Sequence, residues 1–205
     1  YRAGLLVTTG TDNTLMGTEA GDALTTGITN VAVGNGALSA EVAGHRTVAV
    51  GYNSLRLQTY ASSTNSNNTA VGFNTGQALT SGLHNTFIAG QSFTDADYNT
   101  AIGQQALVTD TKGSRSTAVG AGALGTQNFT NATNADNTAV GYGAGISITT
   151  GTQNTLMGVN AGDALTTGEN NVAIGAFALS AEDAHGRNIA IGRNALLVLN
   201  AGANG

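Results

Sequence analysis

A single five-residue phrase recurs eleven times in this chain and constrains its fold more than any other feature. The copies are NTLMG (13–17), NVAVG (30–34), TVAVG (47–51), NTAVG (68–72), NTFIA (85–89), NTAIG (99–103), STAVG (116–120), NTAVG (137–141), NTLMG (154–158), NVAIG (171–175) and NIAIG (188–192). Successive copies start 17, 17, 21, 17, 14, 17, 21, 17, 17 and 17 residues apart. A helix pair or a propeller blade needs a longer period, whereas one turn of a β-solenoid or β-roll fits. Every step exceeds 14 by 0, 3 or 7 residues, which points to a 14-residue minimal coil with a variable loop. The chain therefore reads as all-β: one parallel β-roll repeat domain over residues 1–205, with coils beginning at 13, 30, 47, 68, 85, 99, 116, 137, 154, 171 and 188.

The phrase also gives each coil a grammar. Position one is Asn in nine coils, with Thr47 and Ser116 in the others; such side chains bond nearby backbone where a chain turns a corner. Position two is Thr or β-branched apolar. Position four is Val, Ile or Met without exception, from Met16 to Ile191, and is expected to be the inward stripe of a short strand. Position three is Ala except at Leu15, Phe87 and Leu156, so its face should be close-packed as well. Apolar residues on both faces imply that both are covered, hence an oligomer. Position five is Gly in ten coils and Ala89 in one, as a bend or a positive φ would require. Beyond it, Leu38, Leu55, Leu107, Leu124, Leu179 and Leu196, with Phe93, occupy position nine. Where position nine is Gly instead, Leu24, Leu79, Ile148 or Leu165 stands at position twelve. One large apolar residue per coil is thus kept, as a packed core demands.

Composition removes several function classes. Net charge is −5 with seven scattered basic residues, which is no footprint for nucleic acid. Without cysteine there is no disulfide, thiolate metal site or thiol nucleophile. No apolar run has a membrane helix's length, and no signal peptide is visible. Residues 3–55 recur as 144–196 with about two-thirds identity, growth by copying that argues against a unique site. Tyr1, Ala3 and Gly4 align with Tyr142, Ala144 and Gly145, so the chain is expected to be a fragment of a longer fibre.

The phrases NVAIGAFALSA (171–181), NIAIGRNAL (188–196) and NTAVGYGAG (137–145) resemble the head repeats of trimeric autotransporter adhesins and similar repeats of phage tail fibres. The resemblance covers residues 3–196. It implies a left-handed parallel β-roll, three chains side by side as a homotrimer, in a rigid extracellular shaft or head of a virion or bacterial surface. It further implies contact with a host-surface glycan or protein receptor, no cofactor, and no membrane insertion by this segment. The usual 17-residue step and the Thr at position two depart from the adhesin pattern towards that of tail fibres.

Candidate chemistry is sparse. His45, His84 and His185 lie between coils and read as structural or exposed. Glu41 with Arg46, and Glu182 with Arg187, are spaced to pair across a loop. Asp22, Asp163, Asp95 and Asp97 read as turn acids, because no calcium-binding repeat accompanies them. No catalytic or metal-binding set emerges, and an enzyme is not expected. The most plausible contact regions are the long loops Arg56–Asn67 and Gly125–Asp136, with Tyr60, Asn65, Asn67, Asn128, Phe129 and Asn131 as candidate receptor-contact residues. Asn128 and Asn131 also head NFT and NAT sequons. An ice-binding or glycan-binding β-solenoid is the alternative, prompted by the position-two row Thr14, Thr69, Thr86, Thr100, Thr117, Thr138 and Thr155. A polysaccharide-degrading β-helix ranks third.

Overall fold

The computed structural model describes residues 1–89, 95–181 and 183–198. It is a parallel β-solenoid of about ten turns, and no helix forms among the described residues. Each copy of the phrase contributes one three-residue strand from its positions two to four. The chain divides into two compact units, residues 1–99 and 100–205. In the first unit the phrase strands are β1 (Thr14–Met16), β2 (Val31–Val33), β4 (Val48–Val50), β6 (Thr69–Val71) and β7 (Thr86–Ile88). Two shorter strands, β3 (Gly44–His45) and β5 (Thr64–Asn65), pair with each other. In the second unit the phrase strands are β8 (Thr100–Ile102), β10 (Thr117–Val119), β12 (Thr138–Val140), β13 (Thr155–Met157), β14 (Val172–Ile174) and β15 (Ile189–Ile191). There the short pair is β9 (Gly113–Ser114) with β11 (Thr133–Asn134).

Within each unit neighbouring phrases pair parallel and in phase. Thr14, Leu15 and Met16 face Val31, Ala32 and Val33, and Thr155, Leu156 and Met157 face Val172, Ala173 and Ile174. The bonds are regular: the Thr14 N–H donates to Asn30 O and the Val31 N–H to Thr47 O, each at 2.8 Å.

One expectation is inverted. Position three, not position four, points inward: from Ala32 to Ala190 it is buried in every coil after the first. Leu15, in the first coil, is half-buried. The position-four side chains stand outward, with Met16 62% and Ile191 67% exposed in the single chain. The reason is space. The coil is narrow, so the inward residue of the strand has to be small, and Ala is the usual solution. Where it is large, a glycine has made room. A Cβ on Gly162 would lie 2.9 Å from both Leu156 and Leu165, and one on Gly145 would lie 2.6 Å from Leu156.

The expected large core residue per coil is found. Leu38, Leu55, Leu107, Leu124 and Leu179 at position nine are fully buried, as are Leu24, Leu79, Ile148 and Leu165 at position twelve. Leu196, in the last described coil, is 41% exposed, and Phe93 lies outside the described residues. The position-nine leucines have left-handed backbones, with φ of 54° at Leu38 and 48° at Leu55. This conformation costs an L-residue about 1–2 kcal/mol, and burial of the side chain offsets it. Position five behaves as its glycines suggest: φ at Gly17 is 132°, and an added Cβ would lie 2.5 Å from the Gly34 carbonyl oxygen of the next coil.

The position-one residues form a buried ladder. The Asn30 Nδ2 donates to Gly44 O at 2.9 Å, and its Oδ1 accepts the Thr47 N–H at 3.0 Å. The pattern repeats along Asn137, Asn154 and Asn171, whose Oδ1 atoms accept the backbone N–H groups of Asn154, Asn171 and Asn188 at 2.9 to 3.0 Å. A buried amide that satisfies the corners of two coils is what keeps position one Asn.

Candidate functional site

Two kinds of surface feature stand out in each unit. The first is the outward face of the phrase strands. Positions two and four place Thr, Val, Ile and Met side by side along it, and every one is half-buried or exposed. At the bend beyond it, Tyr52 and Phe73 stack with ring centroids 5.2 Å apart, and Phe73 is 69% exposed. In each unit the lone chain thus leaves a row of Val, Ile or Met at position four in contact with solvent. The expected apolar row at position four is thus present but faces outward, beside a position two that is Thr in seven coils.

The second is the long loop, one in each unit, and the two share one construction at an offset of 69 residues. At the base of each lies a wholly buried acid, Glu41 or Asp110, with a buried Gln, Gln58 or Gln127. The Glu41 Oε1 accepts the N–H groups of Val42, Ala43, Gly44 and Tyr60, at 3.0, 3.2, 2.7 and 3.1 Å. Its Oε2 accepts from Gln58 Nε2 at 2.9 Å. Glu41 is thereby turned inward and does not pair with Arg46, which is exposed. Glu182, expected to pair with Arg187, lies outside the described residues. In the second loop Asp110 accepts the Gly113 N–H at 2.9 Å, the Phe129 N–H at 3.3 Å and a bond from Gln127 Nε2. Burial pushes the Asp110 carboxyl above the usual aspartate range, against the pull of Gln127 and of the Gly113, Phe129 and Lys112 N–H groups.

The candidate contact residues separate on this frame. Tyr60 is 8% exposed and Phe129 6%, so both aromatics pack into the loops from within. The Tyr60 hydroxyl donates to Gly82 O at 2.7 Å, and burial, then the nearby Glu41 charge, pushes its ionisation above the ordinary tyrosine value. Asn65, Asn128 and Asn131 remain on the surface, and Asn67 is half-buried. Asn67 Nδ2 bonds Asn65 O at 3.2 Å, and Asn128 Oδ1 accepts from Thr111 Oγ1 at 3.1 Å. The buried acids at position twelve escape sequence reading because charge there suggests solvent. The signal available was that Glu41, Gln58, Asp110 and Gln127 all follow a position-nine Leu, where no apolar residue stands at twelve.

The remaining polar groups are dispersed. His84 stacks on Tyr98, with centroids 4.8 Å apart. His185 lines an open depression with Glu169 and Arg187. Asp95 accepts from Thr80 and Ser81, both at 2.8 Å, and Asp97 from the Leu83 N–H at 2.7 Å. Asp22 and Asp163 are half-buried in matching turns. No group of three or more potential metal ligands occurs among the described residues, and no helix there is long and apolar enough to cross a membrane.

No protein-family model, curated protein or solved structure matches the chain.

Proposed function

We propose that this chain is a structural and adhesive segment of an extracellular fibre, a phage tail fibre or a bacterial surface adhesin. In this reading three left-handed β-rolls associate side by side, and the assembly presents or contributes to binding of a host-surface receptor. The observation that carries it is the outward ladder at position four: a row of Val, Ile or Met in every coil, half-buried or exposed on the lone chain, is costly to leave in water, and a parallel copy of the same ladder would cover it. The polar residues left at the loop surfaces, Asn65, Asn128 and Asn131, are the positions proposed for receptor contact. No catalytic role is proposed. The decisive experiment is the absolute mass of the purified chain by light scattering. Three chains per particle support the fibre, and a stable monomer at micromolar concentration sinks it.

The outward placement of the Thr row gives one specific observation for the alternative, an ice-binding solenoid. Thr69, Thr86, Thr100, Thr117 and Thr138 all lie on the half-buried outer face, where their hydroxyls could order water. Val31, Val48, Val172 and Ile189 interrupt the row. A monomer with thermal hysteresis would favour this reading, and its absence would remove it.

A further inference from the structure

One side chain ties the first long loop to the coil beneath it through a bond that depends on its protonation state. His45, on β3, accepts the Ile28 backbone N–H at Nδ1, at 3.0 Å. A ring nitrogen that accepts carries no proton, so in this state the hydrogen is on Nε2, which donates to Ser63 Oγ at 2.7 Å. The imidazole therefore bridges segment 28–30 below to segment 61–67 above. The same place in a later coil shows what the bond does. The Leu83 N–H, at the position equivalent to Ile28, is held at 2.7 Å by Asp97, the equivalent of His45. At this step of the coil a side-chain acceptor completes the backbone ladder, and the first long loop uses an imidazole for it.

We propose that His45 is a pH-sensitive latch that fastens the loop at 61–65 to residue 28 at neutral pH and releases Ile28 on acidification. The protonated ring has two N–H donors and no acceptor, so Nδ1–H would meet the Ile28 N–H donor to donor. The Ser63 bond is compatible with both states, so the change is confined to the lower attachment. The surroundings do not supply a competing switch. Segments 28–30 and 61–67 contain no titratable side chain. On the histidine's own stretch, Glu41 is turned inward onto backbone N–H groups, Arg46 is exposed, and the Tyr60 hydroxyl is bonded to Gly82. The second long loop has Ser114 and Ala132 at the places of His45 and Ser63, so it lacks the latch. The inference is independent of the fibre reading and concerns a single chain.

The test is amide hydrogen exchange on the whole chain at about pH 8 and about pH 5, on either side of the range in which imidazoles as a class change charge. Rates are expressed as protection factors so that the intrinsic pH dependence cancels. Protection of Ile28 should fall roughly five-fold at the lower pH, the equivalent of one net hydrogen bond, while that of Leu83 holds. His45→Asp should keep Ile28 protected at both pH values. Nitrogen shifts of the ring at the higher pH give a second readout, with Nδ1 bare and Nε2 protonated. Equal Ile28 protection at both pH values, a pH dependence that survives His45→Asp, or the opposite tautomer would each overturn the proposal.

Discussion

Replacing Leu156 by Ala tests the rule that the narrow core trades volume between position three and the glycines beside it. Leu156 is fully buried, and its two methyl groups occupy the space that a Cβ on Gly145 or Gly162 would need. Truncation removes three carbons from a rigid stack of backbone that cannot collapse around the void. The cost should be about 3 kcal/mol, within the span for buried Leu→Ala changes. For a chain of this length that is roughly 6–12 °C in melting temperature. Gly162→Ala alone should also destabilise, for two reasons: the backbone at φ 59° carries about 1–2 kcal/mol of left-handed strain, and the methyl would press against Leu156 and Leu165. In the double variant the new methyl enters the vacated volume, so the total loss should be smaller than the sum by about 1–2 kcal/mol. Circular-dichroism melts and urea titrations of the four proteins at one fixed concentration close the cycle. Losses that add to within about 0.5 kcal/mol would refute the reasoning, because Leu156 and Gly162 would then share no volume.

Three further outcomes follow from the same geometry. On the fibre reading, Val140→Asp places a charge on the outward face without entering the core, so the circular dichroism should be kept while the proposed trimer falls to single chains; unchanged mass would count against that face as the interface. Asn154→Ala leaves the buried Asn171 N–H and Gly168 O without their partners at 3.0 and 2.9 Å, and should cost about 2–4 kcal/mol by urea midpoint, where the cost of an ordinary surface Ala would refute the ladder. Asp110 holds its proton more tightly folded than unfolded, so its stabilisation is complete below the ordinary aspartate value of 3.8 and is lost as pH rises through the raised value. Urea midpoints of Asp110→Asn and the parent from about pH 3 to about pH 8 should therefore differ in slope, and parallel profiles would exclude the effect.

The solenoid, its coil starts and the bend at Gly17 and its counterparts were legible in the sequence because each follows from a recurrent local rule. The direction of the strand faces was not. An unbroken row of Val, Ile and Met reads as core, and Ala reads as filler, yet in so narrow a coil Ala32, Ala49 and Ala70 are what the interior admits. Alternation alone cannot say which of two apolar faces points in. The interior of the long loops was not legible either. Tyr60 and Phe129 stand in polar stretches, and each closes over a buried acid that takes up its backbone N–H. That arrangement joins residues about 20 apart in sequence, beyond the reach of any local pattern.

The buried acids also explain how coils of unequal length keep a common face. Across the 21-residue step Val48, Ala49 and Val50 pair with Thr69, Ala70 and Val71, and Thr117, Ala118 and Val119 pair with Thr138, Ala139 and Val140. This is the same in-phase register that the 17-residue steps show. The additional residues are therefore absorbed entirely on the loop side. Their exits are held by the short strands β5 and β11, which pair with β3 and β9 of the preceding coil, and their entries by Gln58 on Glu41 or Gln127 on Asp110. A loop anchored in this way can change at its tip, residues 61–63 or 130–132, without shifting a residue of the outward ladder. On the fibre reading this separates two demands on one chain: the strand face stays fit for association, while the loop tips are free to diverge with the receptor.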